Sequence, residues 1–134
     1  MSGHARRLRL GVVGCGRAFE RGHLPALLRT MDFDLTAVHD PSAARVAVAV
    51  AAAPSVRVAR DVLELVDAVD AVLVTSPPAT HRDVATAALG RGRGVLVEKP
   101  MGASLPDARA IRAAAAASGS VLRVGFVRRF RSPY

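Results

Sequence analysis

The chain has 134 residues, 51% of them apolar, which fits one folded domain with an aliphatic core. Its net charge of +8 comes from 18 scattered arginines and one lysine against 11 acidic residues, which disfavours a specific nucleic-acid-binding surface. A single cysteine excludes an internal disulfide framework, and the apolar runs are far shorter than the roughly 20 residues of a membrane span. We therefore expect a cytoplasmic protein without a membrane partner.

The predicted strands and helices alternate along the chain. Six apolar segments are predicted strands, at residues 8–13, 33–39, 56–59, 70–75, 94–97 and 121–127. Five predicted helices separate them, at residues 22–30, 42–53, 61–66, 80–89 and 104–117. Helix N-caps are expected at Ser42, Asp61, Thr80 and Ser104. This alternation, with strands that lack polar alternation, indicates an α/β fold whose doubly wound parallel sheet carries helices on both faces.

The candidate site lies where the predicted strands end. An open parallel sheet binds ligands outside the carboxyl ends of its strands, so the residues that follow each strand are the candidates. Glycine, polar and charged residues gather there: Gly14, Cys15 and Gly16 after the first strand, Asp40 after the second, Thr75, Ser76 and Pro77 after the fourth, Glu98 and Lys99 after the fifth, and Arg128 after the sixth. The sequence thus predicts one ligand-binding edge.

The glycine pair Gly14 and Gly16 stands between the first strand and the first helix. Glycines at such a turn let a pyrophosphate approach backbone N–H groups at the helix start, which places Arg17 and Ala18 in the predicted site as well. Asp40 ends the second strand, where a carboxylate accepts hydrogen bonds from the adenosine ribose and repels a 2′-phosphate. The predicted cofactor is NAD, with NADP less favoured.

Phe19 departs from the dinucleotide-binding motif, because a third glycine normally occupies its position. That glycine allows close packing of helix and strand, so we expect the helix to begin later or to tilt. Ala18 is expected to provide the small contact instead. Cys15, between two glycines, is predicted to be a loop residue and not a nucleophile.

Lys99 is the one lysine in a chain whose other 18 basic residues are arginines, and it directly follows a predicted strand. Arginine keeps its proton in proteins, whereas a lysine in a protected site can act as an acid or base. We therefore predict that Lys99 is the catalytic residue and that it also contacts the cofactor. Pro100 stiffens the turn that directs Lys99, through a bond that can adopt the cis form.

His81 stands in the first turn of the helix after Pro77 and Pro78. Two interpretations stay open at this point: contact with cofactor or substrate, or an exposed residue at a helix start. The other histidines and Cys15 lack the spacing of metal ligands, so no metal site is predicted.

Five stretches of the chain match motifs of one known family in order and spacing: residues 11–16, 23–27, 75–81, 95–100 and 124–130. With these motifs the chain resembles the N-terminal domain of the Gfo/Idh/MocA oxidoreductases. The resemblance implies NAD(P) binding and hydride transfer on a sugar, an inositol or a related hydroxyl compound. It also implies that Lys99 contacts the substrate and the nicotinamide ribose.

The family has a second α/β domain that supplies most substrate contacts, and no residue of this chain matches its motif. We expect residues 1–127 to form the dinucleotide-binding domain and residues 128–134 to begin a connection to that missing domain. This predicts a truncated or split enzyme, in which a separate polypeptide supplies the substrate domain. The chain on its own is then expected to lack full catalysis. The alternative is a non-catalytic nucleotide-binding or partner-binding module, which the Glu98-Lys99-Pro100 motif disfavours.

Overall fold

Six strands form one sheet in the computed structural model, which describes residues 5–126. They are β1 (Leu8–Val13), β2 (Phe33–His39), β3 (Arg57–Val58), β4 (Ala71–Val74), β5 (Gly94–Val97) and β6 (Leu122–Val124). Their order across the sheet is β3-β2-β1-β4-β5-β6, and every pairing is parallel. The predicted fold class is confirmed. The order reverses beside β1, and this is the position at which doubly wound sheets bind ligands.

A π-helical segment and five α-helices connect the strands. The π-helical segment is Ala18–His23, and the helices are α1 (Leu24–Leu27), α2 (Ala43–Ala52), α3 (Val62–Ala68), α4 (Pro78–Gly90) and α5 (Leu105–Ser118). Within residues 5–126, no helix has the length and apolar character needed to cross a membrane.

Three of the four predicted N-caps are confirmed. The side chains of Ser42, Asp61 and Ser104 each accept a hydrogen bond from the backbone N–H three residues later. The prediction for Thr80 is wrong, because α4 begins two residues earlier, at Pro78. Proline suits the first helical position, since its fixed φ matches the helix and it has no N–H to satisfy.

The helix after β1 differs from its prediction. It begins at Ala18 and not near Gly22, and its first turns are π-helical. A π turn contains more residues than an α turn, and here the ring of Phe19 is completely buried against the sheet. Ala18 is exposed instead of making the close helix–strand contact predicted for it.

Two apolar clusters cover opposite faces of the sheet, because successive residues of a strand point to opposite sides. One cluster packs Val72, Val74, Val95 and Val97 under α3, α4 and α5. The other packs Leu10, Val12, Val38 and Leu73 under the π-helical segment, α1 and α2. On this second face Leu96 of β5 stays 37% exposed. The sheet is therefore open over β5 and β6, next to the carboxyl ends of the strands.

Candidate functional site

A cleft of about 1150 Å³ opens where β1, β4, β5 and β6 end. Leu96 and Arg123, neighbours in the register of β5 and β6, line it on the open face of the sheet. The rest of its lining comes from the π-helical segment, the start of α4 and the residues that follow β4, β5 and β6. The cleft therefore occupies the edge that the sequence predicts.

Gly14 fixes the shape of the loop after β1. Its φ of +95° lies in the left-handed region, and a Cβ at this position would collide with the backbone of Thr75 and Ser76. Its N–H donates to His39 O at 2.9 Å, and the Thr75 hydroxyl donates to its carbonyl oxygen at 2.5 Å. Glycine is required here twice, for its backbone conformation and for the close approach of two loops.

Asp40 is more deeply engaged in the loop than the sequence indicates. One carboxylate oxygen accepts the N–H of Cys15 at 2.9 Å, and the other accepts the N–H of Ser42 at 2.8 Å. A carboxylate oxygen accepts about two hydrogen bonds, so each keeps capacity for a ribose hydroxyl. Asp40 thus anchors the glycine loop to the start of α2 and still suits the role predicted for it.

Cys15 is 1% exposed. Burial, with a smaller contribution from the charge of Asp40, raises the pKa of its thiol from 9.0 to about 12. A thiol with such a pKa is protonated at neutral pH and is a poor nucleophile. This agrees with the prediction of a loop residue.

His81 is not an exposed helix-start residue, and that interpretation is wrong. Its side chain is buried, with 1% exposure, and both ring nitrogens face backbone carbonyl oxygens. Nε2 lies 2.7 Å from Ser76 O, and Nδ1 lies 2.9 Å from Pro100 O. The ring therefore bridges the loop after β4 and the turn after β5.

The turn after β5 carries Glu98, Lys99 and Pro100, and its Lys99–Pro100 bond is cis. Glu98 Oε1 lies 2.6 Å from Nε2 of His23, at the end of the π-helical segment. The other Glu98 oxygen accepts the backbone N–H of Lys99 at 3.2 Å. A Cβ at Gly125 would stand 3.0 Å from this carboxylate. Lys99 itself is exposed and lines the cleft.

Four cations line the cleft, and none of them has a carboxylate partner among the described residues. Seven arginines elsewhere pair with carboxylates: Arg6, Arg7, Arg9, Arg57, Arg60, Arg82 and Arg91. Within residues 5–126, no carboxylate pairs with Arg17, Arg21, Lys99 or Arg123, all of which line the cleft. Cations without a carboxylate partner are available to an anionic ligand such as a pyrophosphate.

The structure brings most of the predicted site residues together. Seven line the cleft directly: Arg17, Ala18, Thr75, Ser76, His81, Glu98 and Lys99. Gly14, Cys15, Gly16 and Asp40 form the loop behind them, and Pro77 stands before the first turn of α4. Arg128 lies outside the described residues.

Sequence reasoning missed four residues at or beside the cleft: Arg21, His23, Arg45 and Arg123. Arg21 follows Arg17 by four residues, and a helical reading of that segment would have placed both on one face. The guanidinium of Arg45 stands 4.0 Å from the position of a Cβ on Gly16. No local signal predicts that contact.

Residues 8–126 match the model of the Gfo/Idh/MocA family, described as an oxidoreductase family with an NAD-binding Rossmann fold. The chain belongs to this family. The Rossmann fold of the family description agrees with the six-stranded parallel sheet of this chain. The resemblance inferred from the five motifs is thereby confirmed.

Two of the similar proteins are named as inositol 2-dehydrogenases. The chain is 36% identical to inositol 2-dehydrogenase 4 of Saccharopolyspora erythraea, over 96% of this chain and 39% of that protein. It is 34% identical to inositol 2-dehydrogenase of Corynebacterium glutamicum, over 97% of this chain and 40% of that protein.

A solved structure shows the same fold with ligands bound. Scyllo-inositol dehydrogenase from Lactobacillus casei, with NAD(H) and scyllo-inositol, superposes with a TM-score of 0.85 at 26% identity, covering 95% of this chain and 38% of that one. The chain thus spans about two fifths of the length of the relatives it matches.

Proposed function

We propose that this Gfo/Idh/MocA chain supplies the cofactor half of an oxidoreductase that transfers a hydride between NAD and a sugar- or polyol-type hydroxyl compound. One observation carries the proposal: the glycine loop, Asp40 and the exposed Lys99 meet at one end of the sheet, around a cleft with unpaired cations. The names of the inositol dehydrogenases that the chain resembles support the substrate class.

The cleft fits a dinucleotide. The nearest atoms to a Cβ on Gly16 are 4.0 Å away, so the loop leaves room for a bulky group beside its backbone. Arg17 and Arg21 would neutralise the pyrophosphate, and Asp40 would accept the hydroxyls of the adenosine ribose. A 2′-phosphate would meet the negative charge of Asp40, so we expect NAD to bind more tightly than NADP.

Lys99 is the group that would handle the proton. Oxidation of a hydroxyl releases its proton, while NAD supplies the nicotinamide that takes up the hydride. Lys99 lines the cleft on a turn that contacts His23 and His81, so its Nζ could hold a substrate hydroxyl and, as the neutral amine, take up that proton. Arginine could hold the hydroxyl but could not take the proton.

The open half of the sheet would carry the rest of the enzyme. Leu96 and Phe126 are 37% and 44% exposed beside the cleft, and the matched relatives are much longer than this chain. We propose that a substrate-binding domain, joined to this chain or supplied by a separate polypeptide, covers this surface and completes the substrate site.

Binding is tested by titrating the chain with NADH, NADPH and ADP-ribose. We expect Arg17→Gln to weaken NADH and ADP-ribose roughly tenfold or more, the usual cost of a lost charged hydrogen bond. Arg112→Gln is the matched control, because Arg112 lies on α5 away from the cleft and also lacks a carboxylate partner among residues 5–126. Equal losses in both variants would show that only the net charge matters.

Turnover is tested with the chain completed by a family substrate domain. In that enzyme Lys99→Arg should lower kcat by about 10²- to 10⁴-fold, the range that general acid–base catalysis contributes. Oxidation of a polyol at the full rate by this variant would remove the role proposed for Lys99.

A further inference from the structure

The His81 ring joins two loops that the backbone does not join. The last backbone hydrogen bond from the residues around β4 to those after β5 runs from Glu98 N to Val74 O, at 2.9 Å, among the residues that the structure describes. In the next two residues, the N–H of Lys99 donates to the side-chain carboxylate of Glu98, and Pro100 has no N–H. His81 reaches the carbonyl oxygens of both Ser76 and Pro100 from the start of α4.

We propose that His81 is a positioning residue, which holds the Lys99–Pro100 turn at a fixed distance from the Ser76 loop and thereby directs Lys99 into the cleft. The importance of that direction rests on the proposed function, in which Lys99 handles a proton. The bridge itself does not, because both of its contacts are made between residues of this chain.

The ring is well suited to this task. In a helix the Cα–Cβ bond tilts toward the N-terminus, so His81, at the fourth position of α4, reaches back over the loop that precedes the helix. A neutral imidazole donates to one carbonyl and an imidazolium donates to both. Both contacts, of 2.7 and 2.9 Å, are hydrogen bonds only when both ring nitrogens carry a proton, because a neutral ring leaves a lone pair facing one of the two carbonyl oxygens.

Burial makes the bridge hard to replace. His81 is 1% exposed, so carbonyl groups that lose its N–H have little access to water as a substitute partner. A second side-chain contact of this turn within residues 5–126 is that between Glu98 and His23 of the π-helical segment. Two histidines thus contact the turn that carries Lys99, His23 at Glu98 and His81 at Pro100.

The single lysine of the chain makes the proposal testable. Labelling with ¹⁵N-lysine gives one backbone amide signal, that of Lys99, because the chain contains no other lysine. We expect this signal to move or split in His81→Asn and His81→Gln. His39→Asn is the matched control, since His39 also contacts a loop carbonyl, Ala59 O at 3.0 Å, in the other half of the sheet. There the Lys99 signal should stay in place.

A second measurement needs no variant. In the wild-type chain labelled with ¹⁵N-histidine, we expect at least one ring N–H of His81 to exchange slowly with water. Fast exchange of every ring N–H would overturn the proposal, and so would an unmoved Lys99 signal in folded His81 variants. Both readings are made without ligand, so a chain that binds no dinucleotide would refute the proposed function and leave this one standing.

Measurements of kcat and KM distinguish a positioning role of His81 from a purely structural one. In the enzyme completed by a substrate domain, His81→Asn should lower kcat on the order of 10²-fold, the effect of a misplaced catalytic group, while KM for NAD changes less than about twofold. His81→Gln, which keeps an N–H donor on a longer side chain, should recover part of kcat. A rise in KM with kcat unchanged would show that His81 serves only the cofactor loop.

Discussion

The two sides of the cleft are built differently. On the cofactor side, after β1 and β2, the loops are held by backbone N–H groups: Gly14 donates to His39, and Cys15 and Ser42 donate to Asp40. On the lysine side, after β4 and β5, the corresponding links are the rings of two histidines, His23 and His81. The first side is therefore held by a backbone–backbone bond and by the carboxylate of Asp40, which accepts from the backbone, whereas the second depends on the rings of two histidines.

This difference has a consequence for substitutions. A change on the cofactor side has to alter the path of the backbone or remove Asp40, and it should cost folding stability and cofactor binding together. A change of His23 or His81 leaves the glycine loop intact, so it should act on the Lys99 turn first. The following predictions separate the two cases.

The largest effect is expected on the cofactor side, for Gly14→Ala. A methyl group at φ +95° and against the Ser76 backbone combines conformational strain with overpacking, so we expect a loss of about 2–5 kcal/mol in the free energy of unfolding. Gly22→Ala is the control, because nothing lies within 4 Å of its Cβ position. Urea denaturation measures both, and similar midpoints would contradict the requirement for glycine at position 14.

The next largest effect is expected when the carboxylate of Asp40 is removed. Asp40→Ala leaves the N–H groups of Cys15 and Ser42 without their acceptor, so stability and cofactor choice should change in one variant. We expect the preference for NADH over NADPH to narrow by about 1–3 kcal/mol, as for a lost charged hydrogen bond. Wild-type chain that binds both dinucleotides equally would remove this role of Asp40.

A smaller effect is expected on the lysine side, for His23→Asn. The contact of His23 with Glu98 is partly exposed, with both side chains at 24%, so its loss should cost about 1 kcal/mol of stability or less. The ¹⁵N signal of Lys99 should nevertheless shift, while affinity for ADP-ribose stays the same. Glu20→Gln, an exposed change in the same π-helical segment, should do neither. A weaker ADP-ribose complex in His23→Asn would show that the two sides are not independent.

At neutral pH the smallest change is expected at Cys15, whose effect on stability appears only as the pH rises. Its raised pKa means that the native state favours the neutral thiol, so its contribution to stability is complete below pH 9 and is lost as the pH rises toward 12. Alkylation of the native chain should be slow between pH 7 and 9 and fast in urea. Rapid labelling of the folded chain at pH 8 would show that the glycine loop opens readily.

Much of the fold was open to prediction because its signals are local. Apolar runs mark the strands, and the predicted segments 8–13, 33–39 and 94–97 agree with β1, β2 and β5. Serine and aspartate mark the helix starts where a side chain accepts an N–H three residues later. The start of α4 has a local signal as well, because Pro78 fixes φ at the first helical position, two residues before Thr80.

The sequence by itself determined the parallel α/β sheet and the glycine loop. It also singled out Asp40 and Lys99 as site residues, because each follows from residue type and from position relative to a strand. The tertiary structure alone decided what those residues touch. His23 meets Glu98 across 75 positions of the chain, and His81 meets Pro100 across 19. These contacts depend on the position of β4 between β1 and β5. That arrangement is set by the packing of whole strands and helices and not by the local preferences of any segment.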